Sequence, residues 1–277
     1  MRKYIWWIIG GGSLLLGMVL LTAAFFGGAK GIYLSDDGFE VAGDTIVIEE
    51  TVKGGFTSVD IDCDIGEIEL RASKDGSYGY RLEYTDDYFH SNQLEVINGT
   101  LTVTNRHTDK TWTVNRSIPW KYDPVYKLSV TYPAGTKFDN VDAVNALGTI
   151  RLNDFETDSL NVTANLGDVR ASNVISYGTV MTLDLGHLDF DGELYGGTDI
   201  RASLGDVNIN TDVAEEEYEF IFDVELGNIT IGGKNIRADN GKVTGGSGRN
   251  SLRVNCDLGS IDIDFGKRNE SYESSRK

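Results

Sequence analysis

The sequence is poor in the residues from which catalytic and metal centres are commonly built: its 277 residues include three histidines and two cysteines. His90, His107 and His187 are far apart and lack metal-ligand spacing, and no Cys-x-x-Cys pair occurs. A Walker loop, a Gly-x-Ser-x-Gly elbow and a His-Glu-x-x-His pair are also missing, so the chemistries served by those spacings are not written in the chain. No catalytic, cofactor-binding or metal-ligating residues are therefore assigned.

Positive charge is scarce as well. The chain carries 25 Lys+Arg against 43 Asp+Glu, a formal charge of −18. Beyond residue 30 all 43 acidic residues remain against 22 basic ones (the 25 less Arg2, Lys3 and Lys30), which gives −21. Such a surface repels nucleic acid and anionic lipid headgroups, so neither is an expected partner. Helical periodicity of useful length is missing after residue 30.

One long apolar run is present. Ile5 to Phe26 is an uncharged stretch of 22 residues, which as a helix spans roughly 33 Å, enough for a ~30 Å hydrocarbon core. It exceeds the ~7–15 apolar residues of a cleaved signal, although Thr22-Ala23-Ala24 could serve as a cleavage site. No Cys near its end suggests a lipoprotein. Arg2 and Lys3 precede the run, whereas Asp36, Asp37 and Glu40 follow Lys30. That asymmetry predicts a cytoplasmic N-terminus with the remainder exported, and Trp6 and Trp7 suit an interfacial anchor.

The rest of the chain is repetitive. Seven segments share one pattern: SVDIDCDIGEIEL (58–70), NVDAVNALGTIRL (140–152), SLNVTANLGDVRA (159–171), GTVMTLDLGHLDF (178–190), GTDIRASLGDVNI (197–209), EFIFDVELGNITI (219–231) and NSLRVNCDLGSIDI (250–263). Each centres on Ile-Gly or Leu-Gly. The glycines are Gly66, Gly148, Gly167, Gly186, Gly205, Gly227 and Gly259; the middle four are spaced by 19 residues, and Gly227 and Gly259 follow after 22 and 32.

Counted from the glycine, positions −7, −5, −3, −1, +2 and +4 are mostly apolar or small. In the fifth repeat these are Thr198, Ile200, Ala202, Leu204, Val207 and Ile209, with Arg201, Ser203, Asp206 and Asn208 between them. Such alternation marks strands with one buried face. The phase slips by one at the glycine, which keeps the second strand on the same core and identifies a corner. The expectation is an all-β fold, a flattened β-solenoid of ~19-residue two-strand coils that are stable only when stacked. Leu204 is expected to point inward, and Ser203 and Asp206 outward.

Residues 72–139 break the repeat but still read as strands, with Asn98-Gly99 as a hairpin turn. The chain thus divides into a cytoplasmic stub (1–4), a transmembrane helix (5–27), a polar stalk (28–44), a β-repeat domain (45–265) containing the non-repeat segment 72–139, and a disordered tail (266–277). Cys63 and Cys256 both occupy position −3, in the first and seventh repeats. Six steps of about 4.8 Å in a linear stack separate them by roughly 29 Å, too far for a disulfide, although two cysteines in an exported protein otherwise suggest pairing.

Residues 125–172, with a strand ending in Pro133-Ala134-Gly135 followed by Leu/Ile-Gly-x-apolar-x-apolar units, resemble the bacterial putative-adhesin family of β-strand-repeat proteins, a domain of unknown function. A final unit after Gly245-Gly246-Ser247-Gly248 extends the resemblance over roughly 45–265. The resemblance implies a solenoid-like domain on the outer face of a bacterial cell membrane, often encoded beside cell-envelope stress-response genes, and brings no catalytic residues.

The expected function is a non-enzymatic, membrane-tethered extracytoplasmic binding or envelope accessory protein, whose partner would be another envelope protein. An adhesin-like or calcium-dependent surface-binding module is the alternative, drawing on Asp60, Asp62 and Asp64 or Asp257, Asp262 and Asp264. A carbohydrate-active solenoid enzyme using carboxylate pairs such as Asp189 and Asp191 comes third. Trp112, Trp120 and Tyr122, in the non-repeat segment, are the candidate partner surface, unless these rings only cover an end of the solenoid.

Overall fold

The computed structural model describes residues 17–19, 22, 32–35, 38–41, 44–85, 89–107, 125–237 and 241–266. They fall into two compact units, one built from 1–46, 84–89 and 108–125, the other from 47–83, 90–107 and 126–277. In the first unit, Ile32–Ser35 pairs antiparallel with Gly38–Val41, so a hairpin stands where a stalk was expected. Of the expected transmembrane helix only residues 17–19 and 22 are described, and these are helical. Among the described residues no helix is long and apolar enough to cross a membrane.

The second unit holds all seven repeats as rungs of one open, predominantly parallel stack. In each rung one strand runs to the glycine and a second leaves it, and the two face each other across the core. Asn140–Thr157 shows the pattern in a single 18-residue element bent at Gly148. Its first half pairs in parallel with Ser58–Cys63 on one side and Leu160–Leu166 on the other. Its second half pairs with Glu67–Leu70 and with Val169–Ser176.

The stacking order differs from the chain order. Strand Asn250–Leu258 pairs in parallel with Gly197–Leu204 on one side and with Tyr218–Leu226 on the other. Likewise Ile261–Gly266 pairs with Val207–Ala214, and its Ile261–Ile263 with Ile229–Ile231. The seventh repeat therefore slots between the fifth and the sixth, which corrects the linear order expected from the sequence. After the fifth rung a 3-10 turn, Glu215–Glu217, carries the chain past a one-rung gap that the C-terminal repeat later fills. Cys63 and Cys256 are free and buried, five rung steps apart, or about 24 Å.

Both ends of the stack are closed. At the sixth repeat, Lys242–Gly246 runs antiparallel along Glu219–Asp223, and Lys234–Ile236 along Ile229–Ile231. At the opposite end the non-repeat segment supplies an eighth rung: Thr100–Asn105 pairs with Ser58–Cys63, and Tyr126–Tyr132 pairs with Glu67–Ala72. Asn98 and Gly99, with φ of 52° and 80°, form the turn that leads into it. At the sixth-repeat end the additions place antiparallel chain over an edge that would otherwise template aggregation.

The core follows the alternation at positions −7, −5, −3, +2 and +4. Ile200, Ala202, Val207 and Ile209 are 0–3% exposed in the fifth rung. The interior of the rim opposite the glycines is polar: Thr179 Oγ1 donates to Ser176 Oγ (2.8 Å), and Ser176 Oγ donates to the Gly178 carbonyl (3.0 Å).

Candidate binding surface

The glycine rim is built by close backbone approach. All seven corner glycines have φ between +133° and +158°, a region in which only glycine is at ease. A Cβ on Gly167 would lie 1.7 Å from the Gly148 carbonyl oxygen, and one on Gly227 would lie 1.5 Å from that of Gly259. Amide-to-carbonyl hydrogen bonds tie rung to rung here, Gly186 N–H to Leu204 C=O at 3.0 Å and Gly205 N–H to Leu258 C=O at 2.9 Å.

This geometry overturns the expected direction of position −1. Leu204 is 49% exposed, as are Leu147, Leu166 and Leu185 (each 47%), Leu258 (45%) and Leu226 (67%). Period-2 alternation ends at position −3; the corner begins one residue later and turns the leucine outward. Asp206 and Ser203 are not the only residues facing solvent there. Leu147, Leu166, Leu185, Leu204, Leu258 and Leu226 stand in register along the rim, headed by the half-buried Ile65. Contiguous exposed apolar patches of this kind mark interaction sites. The hydrophobic signal was in the sequence; its orientation was not.

Position +1 forms a polar ladder beside the leucines. Asp168 Oδ1 accepts the His187 backbone N–H (3.1 Å), His187 Nδ1 accepts that of Asp206 (3.2 Å), and Asp206 Oδ1 accepts that of Ser260 (2.8 Å). His187 thus spends its acceptor nitrogen on the corner backbone.

The acidic residues considered for calcium or catalysis lie on strand faces. Arg106 Nη1 donates to Asp62 Oδ1 (3.0 Å) and lies 3.5 Å from Asp64 Oδ1. Asp142, beside Asp60 in register, is raised above the usual carboxylate range by partial burial and then by Asp60 and Asp62. Asn208 Nδ2 donates to Asp189 Oδ1 (2.8 Å) and Asn210 Nδ2 to Asp191 Oδ2 (3.4 Å), tying both carboxylates sideways to the next rung. Among the described residues no three His, Cys, Asp or Glu converge to hold a metal ion. Trp112, Trp120 and Tyr122 lie outside the described residues.

Sequence reasoning also missed a buried polar column. Asn105, Cys63 and Asn145 are successive residues of position −3, all 0–1% exposed. Asn105 Nδ2 donates to the Ile65 carbonyl (3.2 Å) and Asn145 Nδ2 to the Gly66 carbonyl (2.9 Å), so both brace the first corner from inside. The signal was an Asn at a position otherwise filled by Ala, Cys, Leu or Val.

Solved structures similar to this chain include a putative cell adhesion protein from Clostridium sporogenes ATCC 15579, 12% identical over 80% of this chain and 100% of that one, with a TM-score of 0.45. A putative adhesin from Bacteroides fragilis NCTC 9343 is 18% identical, with 79% and 97% covered and a TM-score of 0.40. A putative lipid binding protein from Parabacteroides distasonis ATCC 8503 is 13% identical, with 81% and 98% covered and a TM-score of 0.31. No curated protein matches the sequence. The profile of one family, described as Toastrack DUF4097, matches residues 56–270, and the chain belongs to that family.

Proposed function

We propose that the protein is a non-enzymatic binding protein of the bacterial envelope, tethered by residues 5–27 and presenting its solenoid outside the membrane. The observation that carries the binding role is the leucine rim, an unbroken aliphatic line held in register by seven corner glycines. Leaving six leucines about half exposed has a solubility cost, and a rigid backbone ladder beneath them suits recognition without chemistry. Tethering rests on the 22-residue apolar run and its flanking charges. Asp62, Asp64, Asp189 and Asp191 are engaged by neighbouring side chains, so the calcium and hydrolase alternatives draw no support from them.

Two measurements test the reading. Protease added to intact spheroplasts should digest the domain, and complete protection would reject export. In intact cells, benzoylphenylalanine at position 204 on the rim should give a discrete cross-linked product, whereas the same probe at position 208 on the sheet face should not. Equal products, or none at either position, would reject the rim as the binding surface.

A further inference from the structure

The rim is bordered by two rows of side chains, and both rows carry one sign of charge. Before the apolar residue stand Asp64, Asp184, Asp257 and Glu225; after the glycine stand Glu67, Asp168 and Asp206. Neither row contains a lysine or arginine on any of the seven rungs. Some of these charges are met locally: Arg106 lies 3.5 Å from Asp64, and Arg170 lies 3.5 Å from Asp168. Asp184, Asp257 and Glu225, on the rungs nearest the sixth repeat, have no ion pair among the described residues. Beside them a shallow depression of about 500 Å³ is lined in part by Asp223, Glu225 and Asp257 against one cation, Arg201, whose guanidinium is held 2.8 Å from Asp199.

This arrangement sorts the occupants that an apolar line could take. A second copy docking rim to rim would bring carboxylate rows together, and an anionic bilayer surface would meet the same repulsion. An apolar stripe with cationic borders meets none. Six steps of about 4.8 Å make the ladder roughly 29 Å long, the length of a helix of about 19 residues. A helix turn of ~5.4 Å is close enough to the rung spacing for successive apolar side chains to seat between leucines.

Resting on the reading of the rim as the binding surface, we propose that it docks a cationic amphipathic helix. The apolar stripe of the helix lies along the whole row from Ile65 through Leu147, Leu166, Leu185, Leu204 and Leu258 to Leu226, and its Lys or Arg borders face Asp184, Asp257 and Glu225.

The test uses the full-length protein in phosphatidylcholine nanodiscs and a fluorescent 19-residue Lys/Leu peptide with leucines at helical spacing. Empty discs and a scrambled peptide of the same composition serve as controls. The wild type should retain the peptide above empty discs, and raising salt from 0.05 to 0.5 M should weaken binding severalfold. Both L185S/L204S/L258S and D184N/E225Q/D257N should bind at least tenfold more weakly with unchanged circular dichroism. If only the leucine variant loses binding, the rim stands as a surface but its cationic partner does not. If neither loses binding, or the scrambled peptide binds equally, the docking proposal fails. Rim-dependent dimers, or rim-dependent capture of empty phosphatidylglycerol vesicles, would also overturn it by naming a different occupant.

Discussion

Gly259 lies directly against Gly205: a Cβ on Gly259 would stand 1.9 Å from the Gly205 carbonyl oxygen, although the sixth repeat comes between them in the chain. The C-terminal repeat is thus an internal rung, paired in parallel with the fifth repeat on one side and the sixth on the other. It buries Leu252, Val254, Cys256, Ile261 and Ile263 at 0–1% exposure.

Deleting residues 250–277 should therefore do more than trim an end. Five buried side chains at about 1.5–3 kcal/mol each contribute on the order of 8–15 kcal/mol, comparable to the whole stability of a domain. The truncated chain should aggregate or lose cooperative melting, because two parallel edges are left facing an empty slot. A synthetic peptide of residues 250–266 added in trans should restore part of the fold. A soluble, monomeric truncated chain with the wild-type melting temperature would refute the intercalated order.

Corner glycines allow a matched pair of substitutions. Gly186 has φ +152°, and a Cβ there would lie 1.9 Å from the Gly167 carbonyl oxygen. Gly197, on the opposite rim, has no atom within 4 Å of the same position and no positive φ. Gly186→Ala should cost several kcal/mol, at least the ~1–3 kcal/mol of backbone strain plus the forced separation of two rungs. Gly197→Ala should stay within about 0.5 kcal/mol. Thermal melts of the two variants decide; equal values would mean that the rim is not backbone-limited.

The strands and corners were legible because sterics write them locally. A side chain at Gly167 or Gly186 collides with the carbonyl of the neighbouring rung wherever that rung comes from, so the repeated glycine identifies the corner without identifying the neighbour. Rung order was illegible for that same reason: the edge offered by Ala202 and Leu204 accepts Cys256 and Leu258 as well as it would accept Val224 and Leu226. The eighth rung was hidden because no Ile-Gly or Leu-Gly pair follows Asn105 in the sequence before Tyr126, although Leu101, Val103 and Asn105 repeat the spacing of Val59, Ile61 and Cys63. The outward leucine rim was hidden because a rule for straight strands was carried too far into a bend.

The cysteines give a chemical and a pH test. Burial pushes the Cys63 thiol up to about 12 and the Cys256 thiol up to about 11, from 9.0. Native protein at pH 8 should leave both thiols unmodified by Ellman's reagent, and denaturant should expose two. Both folded-state values lie above the unfolded value, so the stability they contribute is complete below about pH 9. It is lost as the pH rises toward 11–12, because the unfolded chain releases its protons first. Melting temperature should fall over that window, and less steeply in Cys63→Ala. Mass spectrometry that finds no free thiol in the monomer would contradict the five-rung separation.

Orientation at position −1 is open to direct test by introducing the same charge at neighbouring sites. Leu204 is 49% exposed and Ala202 is 3% exposed, two residues apart on one strand. Straight-strand alternation gives them the same face; the corner gives them opposite environments. Leu204→Asp should change stability by no more than about 0.5 kcal/mol, since the carboxylate stays in water. Ala202→Asp places an unpaired carboxylate in an apolar core between Leu183 and Cys256, and should cost several kcal/mol or abolish folding. A milder Ala202→Ser keeps the comparison readable if the aspartate variant cannot be purified, and should still melt below Leu204→Asp. A larger loss in Leu204→Asp than in either Ala202 variant would return the leucines to the core and remove the rim as a surface.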